Sequence, residues 1–122
     1  MMAKNERKWG IVAGLSGFSA LVMGAIASHA VADPHAAYVV ETASLYQLIH
    51  AGLLLWLSSG DRLWSAAARW LFLAGTVLFC GTIYLKTLAG WQGATILAPL
   101  GGTSFMVGWL LVAFGYGFDK GS

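Results

Sequence analysis

The stretch AAARWLFLAGTVLFCGTIYLKTL, residues 66–88, carries two charged side chains, Arg69 and Lys86, each near an end. An α-helix advances about 1.5 Å per residue, so about 20 apolar residues cross the roughly 30 Å hydrocarbon layer of a bilayer. This segment is long enough to do so. Working outward, three further runs share its length and character: Trp9–His29, Pro34–Leu57 and Ile96–Phe118. Together the four runs occupy nearly all of the 122 residues, of which 58% are hydrophobic and 10% charged, with a mean hydropathy of +0.72. Too little polar surface remains for a water-soluble domain. The sequence therefore predicts an all-α integral membrane protein, one domain over residues 1–122 with four transmembrane helices. Short connections make successive helices antiparallel neighbours in an up-down bundle.

The net charge of +2 is small, and its placement says more than its size. Lys4, Arg7 and Lys8 precede the first helix, Arg62 and Arg69 bracket the start of the third, and Lys120 follows the fourth. Four crossings put all six on one side and leave Lys86 near the other; the positive-inside rule then places both termini in the cytoplasm. Trp9, Trp56, Trp64 and Trp70 fall near that inner boundary and Trp91 near the outer one, as an interfacial belt requires, whereas Trp109 is expected inside the bundle. The basic residues are too dispersed for a polybasic lipid site, and no patch suggests nucleic acid. A competing reading makes residues 4–30 a signal peptide ending at Ser28-His29-Ala30. The apolar run exceeds a usual signal core, so it is expected to remain as helix 1. Cys80 is alone in the chain, which excludes a paired-thiol oxidoreductase and leaves it as a small packing residue.

Asp33-Pro34 is a strong helix start, and Asp61 is the expected cap of helix 3. In helix 4, Pro99-Leu100-Gly101-Gly102 predicts a kink near Pro99 or a late start, with Thr95, Thr103 or Ser104 satisfying a freed carbonyl. A structural bend is one reading; a backbone-lined cavity near the outer face is the other. Glycines recur every seven residues in helix 1 (Gly10, Gly17, Gly24) and in helix 4 (Gly101, Gly108, Gly115). A heptad row keeps one seam facing one neighbour, and small residues allow the close backbone approach on which helix association in lipid depends. These rows predict a close contact between helices 1 and 4, or between each and another subunit.

Helix 2 is the most polar. Thr42, Ala43, Tyr46, Gln47 and His50 share an arc of about 140°, which should face the bundle interior. His50, near the midplane, is either a neutral bridge between helices or a proton relay or ligand contact. Glu41 on the opposite side of helix 2 is expected to pair with Lys86, with His29 as a third member; alternatively Lys86 reaches the headgroups unaided. The histidine spacing makes no metal site, a heme between His29 and His50 has little support, and no cofactor is expected. No nucleophile–base motif, phosphate loop or carboxylate pair is present.

Gly24-Ala25…Ser28-His29-Ala30, Glu41-Thr42-Ala43…Tyr46-Gln47…His50-Ala51, Phe79…Gly81…Tyr84-Leu85 and Pro99-Leu100-Gly101-Gly102…Gly108-Trp109 resemble, in order, the motifs of the small four-helix membrane proteins called domain of unknown function 423. Eukaryotic relatives of that family are named transmembrane protein 256. Ile26, Ala27 and Ser28 depart from the family's usual first motif while keeping His29, and Cys80 and Thr82 stand where serines are common. The resemblance implies a bacterial inner-membrane location or a mitochondrial relative, and supplies no activity. From the residues, the leading expectation is a non-enzymatic accessory or interaction subunit of a larger membrane assembly or homo-oligomer. The alternative is a small-molecule or lipid carrier using an outer cavity bounded by His29, Glu41, Lys86 and Pro99–Gly102, with Tyr46, Gln47 and His50 beneath. A dual-topology exporter is disfavoured by the charge bias and by the lack of an acid in helix 1.

Overall fold

Asp33 and Pro34 set the sharpest boundary in the chain. Proline at the first helical position forfeits no intrahelical bond, and Asp33 Oδ2 accepts the Ala36 N–H at 2.9 Å. The helix they open, α2, runs Pro34–Leu57. In the computed structural model, which describes residues 2–118 (Ala94 by its backbone alone), three other long helices accompany it. These are α1 (Lys4–Ala30), α3 (Leu63–Leu88) and α4 (Leu97–Phe118). There is no strand among the described residues. Lys120, one of the six charges assigned to the inner side, lies outside them.

Helices α1, α3 and α4 are each long and apolar enough to cross a membrane. α2 is long enough but less apolar, since it contains Glu41, Gln47 and His50. Two boundary expectations are corrected. Asp61 does not cap α3: the helix starts at Leu63, Arg62 takes the capping position, and no side chain caps it. Pro99 does not kink α4. It is the third residue of a helix beginning at Leu97, so its missing N–H belongs to a turn whose donors have no intrahelical partners anyway. Thr103 Oγ1 donates to Pro99 O at 2.9 Å within that turn. Between α3 and α4, Gly90 takes a left-handed φ of 74°, and the chain folds back so that Trp91 N–H donates to Leu85 O at 3.2 Å.

α3 contains one wide turn. Over Thr76–Cys80 it is π-helical, with Gly81 N–H donating to Thr76 O and Thr76 Oγ1 to Phe72 O at 2.9 Å. The extra residue re-aims every side chain that follows.

The helices pack in chain order. α1 lies on α2, α2 on α3 and α3 on α4, so α2 and α3 hold the middle and α1 and α4 flank them. Contacts such as Gly17–Ala51 with Gly24–Ser44, and Gly108–Phe72 with Gly115–Trp64, run in opposite directions along each pair, so neighbours are antiparallel. The expected close contact between the first and last helices is absent among the described residues, because the intervening pair separates them.

The two glycine rows meet different partners. On α4, a Cβ at Gly101 would strike the Phe79 backbone, one at Gly108 the Phe72 ring and one at Gly115 the Trp64 indole. Gly75 on α3 receives Phe105 of α4 in the same way. On α1, Gly17 only touches Ala51 Cβ at 3.8 Å, Gly24 meets Ser44 Oγ at 3.1 Å, and Gly10 has nothing within 4 Å. Buried Ala13, Ala20 and Ala27 share the α1 face with them.

Candidate functional site

The inward face of α2 builds the polar core. Gln47 and His50 are each 6% exposed and Ala43 is fully buried. An unpartnered amide at this depth costs several kcal/mol by the rough measure for hydrocarbon surroundings, and Gln47 is fully engaged. Its Nε2 donates to Ser19 Oγ at 2.7 Å and Ser16 O at 3.0 Å on α1, and its Oε1 accepts Tyr84 O–H at 2.7 Å from α3. One side chain thus ties three helices. Just above it, Cys80 Sγ donates to Ala43 O at 3.3 Å. Ser104 on α4 donates to Leu71 O at 2.6 Å and adds a tie between α3 and α4.

His50 is the second junction. Its Nδ1 lies 2.7 Å from Tyr46 O, and a carbonyl only accepts, so Nδ1 carries the proton. Nε2 then accepts the Trp109 Nε1–H from α4 at 3.2 Å. The imidazole stacks on Phe105 with centroids 3.9 Å apart and leans on Phe72 at 5.2 Å. Both ring nitrogens are used within the chain, the arrangement of a neutral bridge between helices.

Beside His50 a groove of about 530 Å³ opens sideways between α2 and α4. Tyr46, stacked on Phe79 at 5.5 Å, walls one side; Phe105, Met106 and Trp109 wall the other, and Gly102 leaves room at one end. The Tyr46 ring is 43% exposed, and its hydroxyl bonds to nothing among the described residues. The π-helical turn matters here because Phe79 belongs to it.

The hollow that holds Glu41 does not include His29, Lys86 or Pro99–Gly102, the other expected walls of an outer cavity. His29 and Lys86 are exposed, and Glu41 makes no ion pair among the described residues. The geometry explains this. Glu41 lies in a shallow recess with Gly24, Tyr38, Thr42 and Ser44 on the α1 side of α2, whereas Lys86 belongs to α3 on the other side. Trp9 is also placed differently from the interfacial belt: it is 4% exposed, edge-on to Trp70 at 5.0 Å, with the Arg69 guanidinium 5.5 Å from its ring centre. Trp109, expected inside the bundle, is 44% exposed while it reaches inward to His50. No three metal-ligating side chains cluster among the described residues.

Sequence reasoning missed Ser16, Ser19 and Tyr84 as partners of Gln47, and Arg69 as a buried charge. Ser16 and Ser19 stand three residues apart in an apolar helix, a spacing that puts both on one face and was the available signal.

Comparison with known proteins supplies the ancestry. The chain is 30% identical over 112 residues to the UPF0382 inner membrane protein YgdD of Escherichia coli (strain K12), covering 86% of each chain. It is 29% identical over 116 residues to a UPF0382 membrane protein of Haemophilus influenzae, covering 90% of this chain and 94% of that one. No solved structure matches it. Residues 23–102, which hold Gln47 with its donor Tyr84, His50, and the Tyr46 and Phe79 side of the groove, match the family described as protein of unknown function DUF423. The chain belongs to that family of membrane proteins.

Proposed function

We propose that this chain is a non-enzymatic protein of the bacterial inner membrane that crosses it four times, with both termini cytoplasmic. In this reading it binds a lipid-soluble, ring-bearing small molecule in the groove between α2 and α4. The fourth crossing is supported by how α2 spends its polar residues. Gln47 and His50 turn inward and are bonded, while Leu45, Leu48, Ile49, Leu55 and Trp56 face outward. An outward apolar face with its polar groups satisfied inside is what lipid demands. Cysteines introduced in a Cys80→Ala background test the topology. Asn5→Cys and Ser59→Cys should react with an impermeant thiol reagent only from the cytoplasmic side, and Ala32→Cys and Gly90→Cys only from the other.

The observation that carries the binding role is the groove itself. Its volume of about 530 Å³ falls within the few hundred to about 1,000 Å³ usual for small-molecule sites, too small for a partner helix. Aromatic walls favour a flat ring, and the Tyr46 hydroxyl offers one hydrogen bond to an oxygen on it. His50 serves as a fixed floor, since both its nitrogens are occupied. Mass spectrometry of everything retained after mild solubilisation should find a small molecule in stoichiometric amount, lost in Gly102→Leu, which fills the groove. Equal retention by both forms would end this reading.

A second reading, the accessory subunit of a larger assembly, is favoured by Glu41. It is a carboxylate exposed on the α1 side of α2 with no cation beside it among the described residues, which a basic group on a partner would neutralise. Co-purification of a stoichiometric partner that Glu41→Gln releases would support it.

A further inference from the structure

The end of the bundle where α1 and α3 begin holds a second hollow, of about 520 Å³. The first turn of α1 contributes Glu6, the turn between α2 and α3 contributes Ser58 through Asp61, and Arg69 of α3 lies at the bottom. Arg62 lines it too.

Arg69 is 4% exposed and carries a full charge. Its Nη1 donates to Leu57 O at 2.8 Å and Gly60 O at 2.9 Å, closing the C-terminus of α2 where the helix dipole favours a cation. That uses one nitrogen of a group with five N–H donors. Its Nε is buried without a partner, and no carboxylate pairs with the guanidinium among the described residues. A buried cation with unspent donors is a costly arrangement unless an anion completes it. The start of α3 above it has no side-chain cap, so the positive end of that helix faces the same hollow. Glu6 and Asp61 line the same space without an ion pair to Arg69. Cationic capacity at the bottom and carboxylates nearby together suit an occupant that bears both signs.

We propose that this hollow holds the head of a zwitterionic phospholipid, its phosphate toward Arg69 and the start of α3 and its primary ammonium toward Glu6 and Asp61. The ammonium is what separates such a head from an anionic one, since the carboxylates repel the latter. Half-exposed Trp56 and Trp70 stand near this end of the bundle, as rings at a lipid–water boundary do. The inference rests on the membrane-crossing reading above only in placing this end at such a boundary; it is independent of the groove.

The test is native mass spectrometry of the full chain, released from mild detergent after equal amounts of phosphatidylethanolamine, phosphatidylcholine and phosphatidylglycerol are offered. Wild type should retain phosphatidylethanolamine over phosphatidylglycerol by about fivefold, the scale of one exposed ion pair. The Glu6→Gln/Asp61→Asn double variant should lose that preference while still binding phospholipid, and Arg69→Gln should lose adducts of all three. Since Arg69→Gln risks misfolding, the double variant, altered only near the surface, decides the matter. Equal retention of the three lipids by wild type, or an unchanged preference in the double variant, overturns the proposal. Inorganic phosphate and glycerophosphoethanolamine serve as soluble competitors; displacement of the lipid by phosphate alone marks an anion site and overturns the lipid assignment. Gly102→Leu should leave headgroup preference untouched, so failure of the groove reading is seen separately, and the cysteine labelling pattern reports failure of the topology.

Discussion

The two outer helix pairs solve the same problem in opposite ways. Between α3 and α4, glycines receive rings or bare backbone: Trp64 and Phe72 fill the spaces over Gly115 and Gly108, Phe105 fills the one over Gly75, and the Phe79 backbone lies against Gly101. Between α1 and α2, small residues meet small residues, as where Gly17 touches Ala51. In lipid, burial does not favour a helix over the solvent, so association depends on dispersion and on a few hydrogen bonds. A ring seated on a glycine concentrates that dispersion in a few interlocked contacts, and every such contact depends on the missing Cβ. A small-on-small seam spreads it thinly and tolerates a methyl group. The α1–α2 pair is supplemented by the bonds of Gln47 to Ser16 and Ser19, and the ring-filled pair by the single bond of Ser104 to Leu71 O. The lesson is that equal glycine spacing does not mean equal dependence on glycine.

The sharpest way to break this contrast is Gly101→Ala. Its methyl group would meet backbone, which cannot rotate away, and the expected loss is about 3 kcal/mol or more, typical of severe overpacking. Reversible unfolding in a single detergent measures it, and a loss near zero would mean the close approach of α4 to Phe79 is wrong. Next, Gly108→Ala should cost about 2 kcal/mol, and Phe72→Leu in the same chain should recover part of that cost. Absence of coupling between the two would remove the ring-on-glycine account.

Gln47→Leu should cost about 1–2 kcal/mol, since membrane hydrogen bonds average about 0.6 kcal/mol and reach about 1.7, and Tyr84 loses its acceptor too. Adding Tyr84→Phe should then change little, because the hydroxyl is already orphaned; additive losses would show that Tyr84 has another partner. Trp109→Phe is smaller, about 0.6 kcal/mol for its one bond to His50 Nε2. The smallest effect is expected for Gly17→Ala, within about 0.5 kcal/mol, because Ala51 Cβ is already at an ordinary contact distance. A large loss there would erase the distinction between the two pairs.

Part of the candidate site was readable in residues alone. Tyr46, Gln47 and His50 stand out because polar groups in an apolar helix must find partners, and their shared arc says they find them on one side. Their partners were not readable. Ser16, Ser19 and Tyr84 look like ordinary helix surface until the helices are placed side by side. Glu41 and Lys86 illustrate the reverse case: similar depth along two helices suggests a pair, but depth says nothing about rotation around the axis, and Glu41 lies in a recess beside Gly24 of α1 while Lys86 belongs to α3. At Pro99 the residues leave a kink and a late helix start equally open, and the helix starts late, at Leu97. An apolar run continues through the residues before a helix start, so hydropathy cannot tell a proline inside a helix from one in its first turn.

Hydropathy, run length and the capping pair Asp33-Pro34 act over a few residues, so the amino-acid order alone determined that lipid is the solvent, how many long helices form and nearly where α2 begins and ends. Which helix lies against which was decided only by tertiary structure. A glycine looks the same in every helix until a particular ring arrives over it, and a buried polar group specifies that it needs a partner without specifying whose. The wide turn at Thr76–Cys80 belongs to the same category. It sets the rotation of the last turns of α3, and with it the wall that Phe79 gives to the groove; no local preference of those five residues demands it.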